Sequence, residues 1–257
     1  METQTLFTAI RAGDLASVDR ILTDRPAAAS ASDAAGLSAL TVAAYHGQPA
    51  IVERILAADP ALDPFEAAIV GDVGRLTTLL DEADREREMK GETAGRAGYE
   101  PNAIAGSNGS GGLSASPDEA ATPPIEQRSA DGFTALHLAA FFGRAEAVRS
   151  LLERGADPNP WATGELYVQP LHSAVAGGHA DVAELLIHAG AEVNAPQRQG
   201  YTPLMGAAQN GMAATVQLLL ARGADPRARN EDVLTAAELA DRAGHAEVAA
   251  TIRAAGG

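Results

Sequence analysis

The chain contains no cysteine, which excludes disulfide bridges, thiolate nucleophiles and cysteine-ligated zinc. Aromatic residues are scarce, with 5 Phe, 4 Tyr and 1 Trp among 257 residues. No apolar run approaches the roughly 18 residues that a membrane-spanning helix requires. The opening METQTLFTAIRAGD has neither the basic nor the apolar segment of a secretion signal. We therefore expect a cytoplasmic protein without a membrane association.

Positive charge is also scarce, because 19 Lys and Arg stand against 34 Asp and Glu, a net charge of −15. This balance argues against binding nucleic acid through a basic surface. Lys90 is the single lysine, in a chain rich in alanine, glycine and arginine. Such a composition is typical of GC-rich bacterial genomes, so we expect a bacterial protein.

Alanine dominates what is present, with 57 residues, and hydrophobic residues make up 46% of the chain. That content is enough to bury a core. A core of Ala and Leu favours closely approaching helices over a β-sandwich, which is rich in Val, Ile and aromatic residues. The composition therefore predicts an all-α fold.

A repeat of about 33 residues runs through most of the chain. Three segments align without gaps: TALHLAAFFGRAEAVRSLLERGADPN (134–159), QPLHSAVAGGHADVAELLIHAGAEVN (169–194) and TPLMGAAQNGMAATVQLLLARGADPR (202–227). Each has an internal glycine, and equivalent glycines mark seven units in all: Gly13, Gly47, Gly71, Gly143, Gly178, Gly211 and Gly244.

Each unit predicts two short antiparallel helices. The first begins at a polar residue that can cap the free amides of its first turn: Ser38, Thr134, Gln169, Thr202 or Thr235. Pro170 and Pro203 follow at the first helical position, where a missing N–H costs nothing. The internal glycine ends this helix, and the second begins one or two residues later, as at Asp14, Asp72 and Asp181.

The second helix carries one apolar stripe with the i, i+3, i+4 spacing of a buried face. Glycines suited to a left-handed backbone end it: Gly155, Gly190 and Gly223. We expect Leu151, Leu185 and Leu219 to occupy equivalent buried positions in successive units.

The motifs TALHLAA, GHADVAELLI and GADPN resemble the ankyrin repeat. The resemblance covers nearly the whole chain outside residues 83–124. It implies an all-α solenoid of about seven helix pairs, with β-hairpin fingers along one edge and a concave face of fingers and first helices. It also implies that His137 and His172 are structural residues that hydrogen-bond the backbone between neighbouring units.

Two irregularities interrupt the array. Units one and three lack a finger, which is expected for a terminal unit and unexpected for an internal one. Residues 83–124 are rich in Gly, Ser and Pro without apolar periodicity. They predict a long flexible insertion between units 1–3 (residues 1–82) and units 4–7 (residues 125–257). We expect protease to cut near Ser107–Gly112 and deletion of residues 86–122 to leave the fold intact.

No motif of a nucleophile elbow, zinc protease, calcium loop or phosphate-binding loop is present. We therefore predict a protein that is not an enzyme and uses no cofactor or metal. Apart from Phe7, Phe65 and Tyr99, its aromatic residues fall on fingers or first-helix ends, positions that face the concave groove in ankyrin repeats. Aromatic anchors dominate protein interfaces, and two flanking polar residues complete the predicted partner-binding set: Tyr45, Phe133, Phe141, Phe142, Trp161, Tyr167, Arg198, Tyr201 and Gln209.

The sequence thus predicts a monomeric scaffold or adaptor that binds an unidentified protein partner through the concave face of units four to six. Two alternatives remain open at this point. The chain could be a regulatory or accessory subunit of an enzyme, with a small ligand in the groove. The insertion could instead fold back as an autoinhibitory ligand.

Overall fold

The computed structural model describes residues 2–90, 122–164 and 166–257. Within these residues, fourteen α-helices form seven antiparallel pairs. The helices are α1 (Glu2–Ala12), α2 (Leu15–Asp24), α3 (Ala39–Tyr45), α4 (Pro49–Leu56), α5 (Pro64–Val70), α6 (Val73–Met89), α7 (Ala135–Phe141), α8 (Ala145–Glu153), α9 (Pro170–Gly177), α10 (Ala180–His188), α11 (Pro203–Gln209), α12 (Ala213–Ala221), α13 (Ala236–Arg242) and α14 (Ala246–Gly256). Each pair is one repeat, so the all-α repeat fold is confirmed.

The helix boundaries follow the predicted caps. The first helices of units two, four, five, six and seven have the predicted N-cap residues: Ser38, Thr134, Gln169, Thr202 and Thr235. Asp14 and Asp72 cap second helices through their side chains. Asp181 does not, because His179 is the N-cap of α10 and places Asp181 inside the first turn.

A finger precedes the first helix in five units and consists of a tight turn closed by a backbone hydrogen bond. In unit two the amide of Asp33 donates to the carbonyl of Leu37 at 2.8 Å, and Ser129 donates to Phe133 in the same way in unit four. In unit five the bond joins Ala162 to Val168, so this finger is two residues longer. Single β-bridges close fingers two and four, and the described residues contain no longer strand.

The buried stripe of the second helices differs from the prediction at one residue. Leu151, Leu186 and Leu219 are fully buried, whereas Leu185 only packs against the edge of the core. The assignment of Leu185 is therefore wrong by one position. Each buried leucine lies eight residues after the internal glycine of its unit, and Leu186 is the residue at that distance from Gly178.

Unit three joins the two halves of the array directly. Helix α5 packs against both α3 and α7, and α6 packs against α8. The guanidinium of Arg144 in unit four donates to the carbonyl of Ile69 in unit three at 2.7 Å. Helix α6 extends through Met89, and the chain re-enters the described part with a buried Pro124. The predicted insertion and its cleavage site lie largely in residues 91–121, outside the described residues.

The missing finger of unit three brings fingers two and four together. A Cβ built on Gly36 in finger two would lie 3.1 Å from the Cβ of Ala130 in finger four. Fingers four and five are joined by the amide of Thr163, which donates to the carbonyl of Gly132 at 3.0 Å. The fingers of units two, four and five thus follow one another even though four α-helices separate the first two along the chain.

Candidate functional site

A cluster of three aromatic rings lies where first helices end, and we call it the aromatic patch: Tyr45, Phe141 and Phe142. Tyr45 stacks on Phe142 with ring centroids 5.7 Å apart and planes 22° apart. Phe141 meets both rings edge to face, at 6.4 Å from Tyr45 and 5.2 Å from Phe142. Tyr45 and Phe141 remain 37% and 39% exposed, whereas Phe142 also packs against the core.

The hydroxyl of Tyr45 is fixed by finger four. It donates a hydrogen bond to the carboxylate of Asp131 at 2.6 Å. Burial, together with this hydrogen bond, raises the pKa of Tyr45 above its usual range. The phenol therefore keeps its proton and its donor role at physiological pH.

A second aromatic pair lies on the long finger of unit five. The rings of Trp161 and Tyr167 stack with centroids 4.4 Å apart and planes 8° apart. Tyr167 is 49% exposed, and the neighbouring Leu166 is also exposed. The two rings form a compact apolar surface at the tip of finger five. Sequence analysis also places Trp161 and Tyr167 on a finger.

The remaining predicted contact residues are divided between core and surface. Phe133 and Tyr201 are partly buried and pack against the two core clusters. Arg198 and Gln209 are exposed, Arg198 on finger six and Gln209 at the end of α11. Among the described residues no ring contact joins the aromatic patch to the Trp161–Tyr167 pair. The rings of the predicted set therefore form two separate clusters.

The two buried histidines connect neighbouring units. The amide of Thr134 donates to Nδ1 of His137 at 3.2 Å, so the other ring nitrogen, Nε2, donates to the carbonyl of Val168 in the next unit at 3.0 Å. His172 has the same arrangement with Ala195 at 3.0 Å. Burial lowers the pKa of both histidines to about 4, so both rings are neutral. This geometry matches the structural role that the resemblance implies.

Sequence analysis missed three residues of this surface. Asp131 becomes part of it only because unit three lacks a finger, and unit spacing alone does not reveal that contact. Leu166 and Val233 are exposed apolar residues on fingers five and seven. The sequence does contain a signal for Val233. Gly36, Gly132 and Gly200 occupy the same position in other fingers, so a valine there stands out.

Other kinds of site find no support in the described residues. They contain no group of three or more His, Asp or Glu side chains placed to hold a metal ion. None of their helices combines the length and the hydrophobicity needed to cross a bilayer.

Comparison with known proteins agrees with this geometry. Residues 131–161 match the family described as "Ankyrin repeat", and residues 167–230 match "Ankyrin repeats (3 copies)". The chain contains ankyrin repeats. Repeats of this family are generally protein–protein interaction modules.

Curated proteins with ankyrin repeats are similar to this ankyrin-repeat chain over part of their length. Human "Neurogenic locus notch homolog protein 4" is 45% identical over 96 residues, which is 37% of this chain and 5% of that protein. Mouse "Rabankyrin-5" is 34% identical over 168 residues, 63% of this chain and 13% of the relative. Mouse "B-cell lymphoma 3 protein homolog" is 38% identical over 108 residues, which is 41% of this chain and 23% of that protein. The chain thus spans less than a quarter of each relative.

Proposed function

We propose that this ankyrin-repeat chain is a non-catalytic scaffold or adaptor that binds a protein partner through the concave face of units four to six. The observation that carries the proposal is the pair of exposed ring clusters on fingers and first-helix ends. The scarce aromatic residues of this chain are concentrated there, and aromatic side chains supply much of the energy of protein interfaces.

Exposed polar side chains on the next unit favour a protein ligand over a small one. Arg198 and Gln209 are exposed polar residues on unit six. A hydrophobic centre with a polar rim is the usual organisation of a protein interface. The two ring clusters lie on separate elements of units two, four and five, and an extended surface of this kind suits a macromolecule.

The test is capture of a partner from an extract of the source cells on the immobilised chain. We expect Phe141→Ala and Trp161→Ala each to reduce capture by at least about tenfold if the residue is a hot spot. Leu15→Ala is the matched control, because Leu15 is 40% exposed on α2, outside this face, and Phe141 is 39% exposed.

Phe141→Ala is a cleaner variant than a change at Phe142, whose ring also packs against the core. Circular dichroism of each variant checks that the fold is retained. If both variants capture the same proteins as the parent chain, the partner surface lies elsewhere and the proposal is wrong.

A further inference from the structure

Asp131 is an acidic residue that the fold holds at the hydroxyl of Tyr45, at the edge of the aromatic patch. One of its carboxylate oxygens accepts the hydroxyl of Tyr45 at 2.6 Å, and the other accepts the hydroxyl of Ser129 at 2.5 Å. These two bonds fix the orientation of the carboxylate without neutralising its charge. Among the described residues, Asp131 forms no ion pair.

The end of the first helix in unit one makes a different contact with the next finger. Asp33 on finger two pairs with the guanidinium of Arg11 at 2.6 Å, and Arg11 lies at the end of the first helix of unit one. Tyr45 and Asp131 repeat this contact between a helix end and the next finger, with a tyrosine in place of the arginine. The carboxylate of Asp33 is therefore paired with a cation within the fold. The carboxylate of Asp131 accepts hydrogen bonds, but among the described residues it has no cationic partner.

A cation site needs a negative charge, which Asp131 supplies, and a surface for the cation to lie on. The rings of the aromatic patch supply that surface. Tyr45 and Phe141 are both more than one third exposed. The faces of aromatic rings attract cations, and the attraction grows when a carboxylate lies beside them. The net charge of −15 also favours approach by a basic partner.

We infer that the aromatic patch and Asp131 together bind an arginine side chain of the protein partner. The guanidinium lies against the rings of Tyr45 and Phe141 and donates to the Asp131 carboxylate. Arginine suits this site better than lysine, because its planar group stacks on rings and is less strongly hydrated. This inference rests on the proposed function and specifies the chemistry of the partner at one point of the same face.

The test uses pentapeptides of sequence acetyl-Gly-Ser-Xaa-Ser-Gly-amide, in which Xaa is arginine, lysine, citrulline or leucine. Citrulline has the shape of arginine without its charge. Amide chemical shifts of the ¹⁵N-labelled chain report binding and its position. We expect the arginine peptide to shift Tyr45, Asp131 and Phe141, and to bind about tenfold more tightly than the citrulline and leucine peptides.

Two variants, each with a matched control, assign the effect. Asp131→Asn keeps an acceptor for Tyr45 but removes the charge, and Phe141→Ala removes an exposed ring. Each should weaken binding of the arginine peptide by about fivefold or more. Glu184→Gln, an equal charge change on the exposed side of α10, and Leu15→Ala should leave it unchanged.

Equal binding of the citrulline or leucine peptide, or unchanged binding by Asp131→Asn, would overturn the inference. Failure here and failure of the proposed function are separable. If the arginine peptide does not bind but capture of the partner still requires Phe141, only the arginine site is wrong. If it binds at the patch but capture is independent of Phe141 and Trp161, the arginine-binding chemistry of the patch stands, and both the proposed partner surface and the use of the patch by that partner are wrong.

Discussion

Val233 lies at a finger position that other units fill with glycine. Its φ of +62° is in the left-handed region, where a β-branched residue is strained. The side chain is 63% exposed, so little burial offsets the strain. Among the described residues, no later finger packs against this turn, so the side chain of Val233 meets no neighbouring finger on that side.

Relief of this strain gives the first prediction. Val233→Gly should raise the free energy of unfolding by about 0.5–1 kcal/mol, since glycine adopts positive φ without a steric penalty. Urea unfolding of the two proteins measures the difference.

The reverse change is the control. Gly200→Val should destabilise the chain, because Gly200 has a φ of +74° and a Cβ there would lie 3.2 Å from the Cα of Asn230 in the next finger. A loss of stability in Val233→Gly would show that the valine side chain makes a contact that outweighs its backbone strain.

His137 and His172 make stability depend on pH. Both have a pKa of about 4 in the folded chain, against an ordinary value of 6.5. Between these values the unfolded chain binds more protons than the folded chain. Their contribution is therefore complete above about pH 6.5 and is lost as the pH falls toward 4. Each histidine should lower the free energy of unfolding by about 2 kcal/mol as the pH falls from about 7.5 to about 5.

A variant taken from the chain itself tests this dependence. Met205 occupies the equivalent buried position in unit six. His172→Met should lower stability at pH 7.5 but reduce its slope against pH, as measured by urea unfolding at several pH values. The same slope in both proteins would show that His172 is not the titrating group.

At the scale of the helix, the buried stripe is fixed by distance from the internal glycine. Leu186→Ala should cost about 2–5 kcal/mol, because it removes a fully buried side chain. Leu185→Ala is the neighbouring control and should cost less, since Leu185 lies at the edge of the core. Urea unfolding gives both values, and an equal or larger cost at Leu185 would contradict the observed register.

The sequence predicts the regular elements well and their contacts less well. Caps at Ser38 and Thr134 and the extra length of finger five follow from local chemistry and repeat length. The sequence predicts the position of Tyr45 at a first-helix end but does not reveal its bond to Asp131. That bond depends on how unit three, which has no finger, places two distant fingers side by side. The error at Leu185 arose from two adjacent leucines, of which only one meets the eight-residue spacing.

At the scale of the whole molecule, unit three makes the array continuous. Ile69 is buried in a core cluster that also contains Leu40 from unit two and Leu138 from unit four. Ile69→Ala should cost about 2–5 kcal/mol. It should also lower hydrogen-exchange protection in both α3 and α7. Loss of protection in only one of these helices would mean that the two halves are stabilised independently.

The proposed partner surface depends on this continuity, because the ends of α3 and α7 together build the aromatic patch, next to Asp131 of finger four. Site-specific photocrosslinking maps that surface directly. A benzophenone amino acid placed at Phe141 or Gln209 lies on the proposed face, and the same group at Glu184 or Gln217 lies on exposed second helices. With the captured partner added, crosslinks should form from Phe141 and Gln209 and be absent from Glu184 and Gln217. Crosslinks from the second helices alone would contradict binding through the concave face.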